Sequence, residues 1–257
     1  MYRAFLFGLL YVAQIATAQA ALQLHFVTED FPPFTYAAAP SNDGQKRAAG
    51  PLVEIVEATC ERLQAQCRIE LLPWRRALRD TEQGLVDGIF TVIESPERHE
   101  RFFITRMLVR SRYSVYALEK NNFVYHQPQD MRGRIVGAYG PSGTSYVLGQ
   151  LLESVRGVTI HLTPNNRRLL KMLHSGRFGP DGVVVANQDV AWHLIEEERL
   201  KELREAGELA EVAYGIGLSR ASVSEDQFRQ FNQALEDLRE EGVLGGILRR
   251  HGLEPAW

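Results

Sequence analysis

The chain is poor in cysteine: Cys60 and Cys67 are the only two among 257 residues. Neither has a histidine nearby, and two thiols alone make a poor metal site. Beyond residue 20 no stretch stays apolar for the ~18 residues a membrane helix needs, so the mature protein is expected to be soluble. Nor is there a surplus of positive charge. The chain has 29 Lys and Arg against 32 Asp and Glu, a net charge of −3, with the signs interspersed. Without a basic stripe there is no electrostatic footprint for nucleic acid. Phosphate-loop signatures are missing as well. The turn Gly140-Pro141-Ser142-Gly143-Thr144-Ser145 has no lysine after its glycine, and G-x-G-x-x-G does not occur. No Ser-His-Asp array or metal cluster is visible, and the seven histidines are scattered. No cofactor is implied.

What is present begins with a leader. Met1-Tyr2-Arg3 carries a positive charge, Ala4 to Ile15 is apolar apart from Gly8 and Gln14, and Ala18-Gln19-Ala20 is a small-x-small site. This pattern predicts a secretory signal over residues 1–20, cleaved after Ala20. No cysteine follows the cut, which excludes a lipid anchor there. Export makes a Cys60–Cys67 disulfide the leading reading, with two buried thiols as the alternative. On one continuous helix the two would stand about 10 Å apart, too far to bridge. The bridge therefore requires the helix to end near Gln64.

Along the chain, apolar runs and turn residues alternate. Leu22 to Thr28 alternates as a strand. Glu29 to Tyr36 follows as a stiff loop, because Pro32 and Pro33 cannot continue a sheet. It presents Phe31, Phe34 and Tyr36, as ligand contacts or as a plug over the core. Ala37 to Ala49 reads as an exposed loop. Pro51 opens a helix, Arg68 to Leu72 is a strand, and Pro73-Trp74-Arg75-Arg76-Ala77-Leu78 starts the next helix. A strand from Gly88 to Ile93 completes a β-α-β-α-β order, which predicts an α/β fold with a parallel sheet. Ser111 to Leu118 is another strand. Glu119 to Gln129 is a polar passage, after which the pattern restarts with strands at Arg134–Tyr139, Val158–Leu162 and Gly182–Ala186, separated by helices. Arg199 to Glu208 is charged and loosely helical, and Val212 to Leu218 is a strand returning to the first half. Ser224 caps a last amphipathic helix, which Gly242 breaks.

Two places could carry binding chemistry. At Ser95-Pro96-Glu97-Arg98 the chain turns after a strand and delivers Arg98 at its carboxyl end, where open α/β sheets place ligands. A planar guanidinium there suits a bidentate grip on a carboxylate, though the same residues could open a solvated helix. The second place is Gly143-Thr144-Ser145, a helix start whose free amides and hydroxyls favour an anion or serve as an ordinary cap. Trp74 could wall a ligand or belong to the core.

In order and spacing, Asp30-Phe31-Pro32-Pro33-Phe34, Gly50-Pro51-Leu52-Val53-Glu54, Pro73 to Leu78, Asp87-Gly88, Ser95 to Arg98, Arg134-Ile135-Val136-Gly137, Gly143-Thr144-Ser145 and Gly176-Arg177 resemble the bacterial extracellular solute-binding proteins of family 3. The Pro-Trp-Arg-Arg-Ala run is similar to a divergent branch. The resemblance implies a two-lobed periplasmic binding protein fold of type II, each lobe a sheet flanked by helices. Lobe 1 would hold residues 21–118 and 215–257, lobe 2 residues 119–214. It further implies a periplasmic monomer that closes on a small amino acid-like carboxylate and hands it to an ABC permease. Arg98 would clamp the carboxylate, Thr144 and Ser145 would hydrogen-bond it from the other lobe, and Phe34, Tyr36 and Trp74 would wall the pocket. Asn187 would stand where the family carries an aspartate for the ligand ammonium.

Three departures mark the resemblance. Ile93 replaces the usual serine five residues before the arginine. Asn187 is uncharged, so a buried ammonium there would lack a countercharge. Ile104-Thr105-Arg106-Met107 replaces the usual Phe-Ser-x-Pro piece. The competing functions are a dehydratase acting on a small carboxylic acid, with Glu29, Asp30 or Glu94 as its general acid, and a sensory domain read by a membrane partner. The expectation is a binding protein and not an enzyme.

Overall fold

The computed structural model describes residues 22–38 and 47–257. The expected signal segment and its cleavage site lie outside them. The elements run β1 (Gln23–Thr28), β2 (Tyr36–Ala37), β3 (Ala48–Ala49), α1 (Pro51–Arg62), β4 (Gln66–Leu71), α2 (Trp74–Glu82) and β5 (Gly88–Val92). Then come α3 (Pro96–Arg101), β6 (Phe102–Ile104), β7 (Val109–Leu118), β8 (Ile135–Tyr139), α4 (Gly143–Leu152), β9 (Thr159–Thr163) and α5 (Asn166–His174). The chain closes with β10 (Val183–Asn187), α6 (Gln188–Glu197), β11 (Leu203–Ser219), α7 (Glu225–Glu240), α8 (Val243–Arg250) and β12 (Glu254–Pro255).

β1 pairs in parallel with β4 and with β5, and β8 pairs in parallel with β9 and β10. These are the two β-α-β units whose apolar runs the sequence displays. Two long strands join them. β7 and β11 run antiparallel from Val109↔Tyr214 to Leu118↔Leu203. At Gly215 strand β11 leaves β7 and pairs with β5 instead. The hydrogen-bonded path is therefore continuous, β4-β1-β5-β11-β7-β10-β8-β9, with β6 and β12 attached at its middle.

Two expectations change here. Arg199–Glu208 is not loosely helical, because β11 already begins at Leu203. Its glutamates point outward while Leu203 and Ala206 are buried, and pairing with β7 overrides local propensity. The strand ending at Leu118, expected in the first lobe, pairs through Tyr113–Tyr116 with β10 of the second half. β7 therefore bonds to β10 on one side and to β11 on the other.

Cys60 and Cys67 are bridged, with Cα atoms 6.1 Å apart. The geometry is the one the spacing requires: α1 stops at Arg62, Gln64 turns into the left-handed region at φ 53°, and Cys67 returns in β4. Gly50, before α1, has φ 114°, and a Cβ there would lie 2.6 Å from Phe34 O, so only glycine fits that turn.

Candidate functional site

β5 brings the chain to the centre of the molecule and then bends. Thr91 holds φ 68°, rare for a β-branched residue, and the β5–β11 register shifts opposite it. The bend delivers Ile93, Glu94 and Ser95 to the start of α3. Ser95 caps that helix by accepting from the Arg98 amide at 3.2 Å. The Arg98 side chain folds back, donates from Nη1 to Ile93 O at 3.0 Å, and stands over the Trp74 ring at 5.6 Å from its centroid. Among the described residues no carboxylate forms an ion pair with it. Burial depresses its proton affinity, and the nearby Tyr113, Tyr214, Glu97 and Glu82 only partly offset this. A half-buried guanidinium without an ion-pair partner is suited to receive an anion.

Opposite Arg98 stands the start of α4. Ser142 is its cap: Ser142 Oγ accepts from Ser145 N, and Ser145 Oγ accepts from Ser142 N at 2.9 Å. The amides of Gly143 and Thr144 are first-turn donors with no intrahelical acceptor. Arg98, Trp74, Ser95, Ser142 and Ser145 line one cavity of about 400 Å3, within the range of small-ligand sites. Trp74 also walls a second cavity of about 390 Å3 with Glu29, Asp30, Tyr139 and Asn166. Trp74 belongs to the core and also borders both cavities. It is 4% exposed and packs on Ala77, Ile89 and Tyr139, yet it faces the cavities on both sides. Its indole Nε1 has no partner among the described residues.

Across the second cavity, Tyr139 at the end of β8 donates to Glu29 Oε2 at the end of β1, 2.7 Å away. Burial pushes the Glu29 carboxyl up to about 8, against the opposing pull of the Tyr139 hydroxyl. Glu29 is thus the cleft's neutral acid. Glu94, by contrast, is exposed and faces His99 at 3.7 Å.

Other expected site residues lie elsewhere. Phe34 is fully buried, stacked on Phe31 at 5.6 Å and edge-on to Tyr214 at 5.3 Å. It belongs to a layer beneath the cleft and lines neither cavity, so it is the plug and not the wall. Tyr36 pairs with Ala49 in the β2–β3 ribbon, also outside both cavities. Asn187 is fully buried and spent: Oδ1 accepts from Val190 N at 3.1 Å, and Nδ2 donates to Ser111 Oγ at 2.7 Å and Tyr214 Oη at 3.0 Å. It caps α6 and has no atom left for a ligand. The Thr144 side chain is buried against the Tyr113 hydroxyl, and Thr144 does not line the cavity that holds Arg98.

Sequence reasoning missed Tyr113, Tyr139 and Tyr214. Tyr139 had a signal, since it ends a strand just before the glycine-rich turn. Tyr113 and Tyr214 had none, because pairing of β7 with β11 alone puts their hydroxyls 3.4 Å apart.

The profile of bacterial extracellular solute-binding proteins, family 3, matches residues 24–254. The chain belongs to this family. Similar solved structures of this family's fold include an ancestral arginine-binding protein bound to arginine, 19% identical, covering 89% of this chain and 97% of that one, TM-score 0.75. A histidine kinase sensor domain with similarity to periplasmic binding proteins is 20% identical, covering 92% and 98%, TM-score 0.78. An amino acid ABC transporter substrate-binding protein from Streptococcus pneumoniae, bound to L-arginine, is 20% identical, covering 89% and 94%, TM-score 0.73. No curated protein matches the chain by sequence. For a family 3 protein the two-lobed fold is as expected.

Proposed function

We propose that this protein is an exported solute-binding component that captures a small carboxylate-bearing ligand and delivers it to an ABC importer. The observation that carries the reading is Arg98, a half-buried cation in a ligand-sized cavity with no ion-pair partner among the described residues. The carboxylate would lie between the guanidinium and the amides of Gly143 and Thr144. Trp74 would wall the pocket. The halves, residues 22 to about 108 with 215–257 and the segment between, would close by bending where β7 and β11 cross. Replacement of Ser145 by a capping role and of Asn187 by a buried network leaves the backbone of α4 as the second half's contribution.

The reading is tested by thermal-shift screening against amino acids, polyamines and small carboxylates. A ligand at 100 times its Kd adds ~2.7 kcal/mol of stability. A carboxylate that stabilises the wild type and not Arg98→Ala supports it. Ligands without a carboxylate, or hits indifferent to Arg98, sink it. Uptake of the same ligand by cells with and without the gene tests delivery.

One observation favours a second reading, a dehydratase acting on a small carboxylic acid. Glu29 is a neutral carboxyl in the cleft, which is what general-acid catalysis needs near pH 7. Product formation from a bound acid, lost in Glu29→Gln, would establish it.

A further inference from the structure

The polar groups around Arg98 divide unevenly into donors and acceptors. On the donor side are the guanidinium nitrogens left after one bond to Ile93 O and Trp74 Nε1, which has no partner among the described residues. The acceptors away from the exposed Glu82, Glu97 and Tyr146 are already engaged. Ile93 O accepts from Arg98 and Ser95 Oγ accepts from the Arg98 amide. Tyr139 O accepts from Ser142 Oγ, and Ser142 O accepts from Ser145 Oγ at 3.0 Å and from Tyr146 N at 3.0 Å. Asn187 is spent within the core.

The space beside the guanidinium is also apolar. Ile93 is 5% exposed, and its Cδ1 would stand 3.1 Å from a Cβ placed on Gly143, so it fills the gap between the two halves next to Arg98. Leu78, Pro141, Ile160 and Leu162 complete the wall. The carboxylates that line this cavity, Glu82 and Glu97, are exposed at its mouth, where water competes for them. Asn166 Oδ1 is buried without a partner, but in the other cavity, beyond Trp74.

We infer that the ligand is a small carboxylate with no α-ammonium group, apolar next to its carboxyl end. An α-ammonium is held within one carbon of the carboxylate. With the carboxylate on Arg98 it would lie beside Ile93 and Trp74, with only the water-exposed Glu82, Glu97 and Tyr146 of this cavity to receive it, and burying it there unpaired is costly. A carboxylate alone is matched by the donors already in place. A hydrogen-bonding group at the far end of a longer ligand is compatible with the site, since it could reach Asn166.

This inference rests on the carboxylate clamp proposed above, and its test separates the two. Calorimetry would compare three pairs that differ only in the α-amino group: L-phenylalanine and 3-phenylpropionate, L-leucine and 4-methylpentanoate, L-arginine and 5-guanidinopentanoate. The expected result is that in every pair that binds, the member without the amino group binds at least tenfold tighter. An amino acid that binds as tightly as its partner, or tighter, overturns the inference and leaves the clamp standing. If no carboxylate in the panel binds at millimolar concentration, the clamp itself fails and the inference falls with it.

Discussion

The hydroxyl of Tyr139 donates to Glu29 Oε2 at 2.7 Å, tying the end of β8 to the end of β1 across the cleft. The bond closes the molecule on itself through a carboxyl that burial holds near 8 instead of 4.5. An acid raised on folding is protonated in the folded state while its unfolded counterpart has ionised. Its contribution is complete below about pH 4.5 and is lost as pH rises through about 8. The shift bounds the loss at roughly 5 kcal/mol. Melting temperature measured between pH 4 and 9 should therefore fall more steeply for wild type than for Glu29→Gln, which keeps an acceptor for Tyr139 and cannot ionise. Parallel profiles would show that Glu29 titrates normally.

Arg98 should matter for binding and not for folding. Its guanidinium makes one hydrogen bond, to Ile93 O, and gives up solvation without gaining a carboxylate. In the absence of ligand, Arg98→Ala is expected to melt no lower than wild type. Against a bound carboxylate the same change should cost on the order of 2–5 kcal/mol by calorimetry, the usual loss for one partner of a desolvated pair. Arg98→Lys should recover part of this, because an ammonium cannot form the planar fork. Full affinity in Arg98→Ala would make the residue a bystander.

The Cys60–Cys67 bridge fastens the end of α1 to β4, the outer strand of the first half. It closes a short loop, for which the chain-entropy account gives about 2–3 kcal/mol. Cys60→Ala with Cys67→Ala should lower the urea midpoint by a corresponding amount and make unfolding insensitive to reductant. Wild type should show no free thiol when denatured without reduction, since the described residues contain no unpaired cysteine.

The order of strands and helices was legible because each apolar run is short and bounded by glycine or proline. The run Gly88–Ile93 and the turn Ser95-Pro96 placed Arg98 correctly at a strand end, since both signals are local. The disulfide was legible for the same reason, a helix that must stop between two fixed cysteines. What escaped depends on pairing between distant segments. The charged half of β11 looks helical until β7 lies alongside it. Asn187 looks like a ligand contact until Tyr214 and Ser111, brought from other strands, take up its amide. Phe34 follows two prolines as though displayed, yet Tyr214 and Phe31 enclose it. A side chain's partners within 3 Å are a property of the sheet and not of its neighbours in sequence.

Closure itself can be tested at Gly143. This residue starts α4 in the second half, and a Cβ on it would stand 2.8 Å from Tyr113 Oη and 3.1 Å from Ile93 Cδ1. Tyr113 is buried within the second half's own strands, whereas Ile93 follows β5 in the first. The added methyl group therefore presses on both halves at once. Tyr113 cannot retreat, because its hydroxyl is packed against Thr144 and Tyr214. Moving the halves apart relieves the contact with Ile93 without unfolding either. Alanine is also a better helix former than glycine, so α4 itself should not suffer. The contact with Tyr113 lies within the second half and stays when the halves part, so Gly143→Ala is expected to melt cooperatively but below wild type. Its small-angle scattering should give a larger radius of gyration, and its affinity for any carboxylate held by Arg98 should drop at least tenfold. Restoring space from the other side, with Ile93→Ala in the same chain, should recover the compact form. If Gly143→Ala is as compact as wild type and binds as well, the halves do not meet at this point when they close.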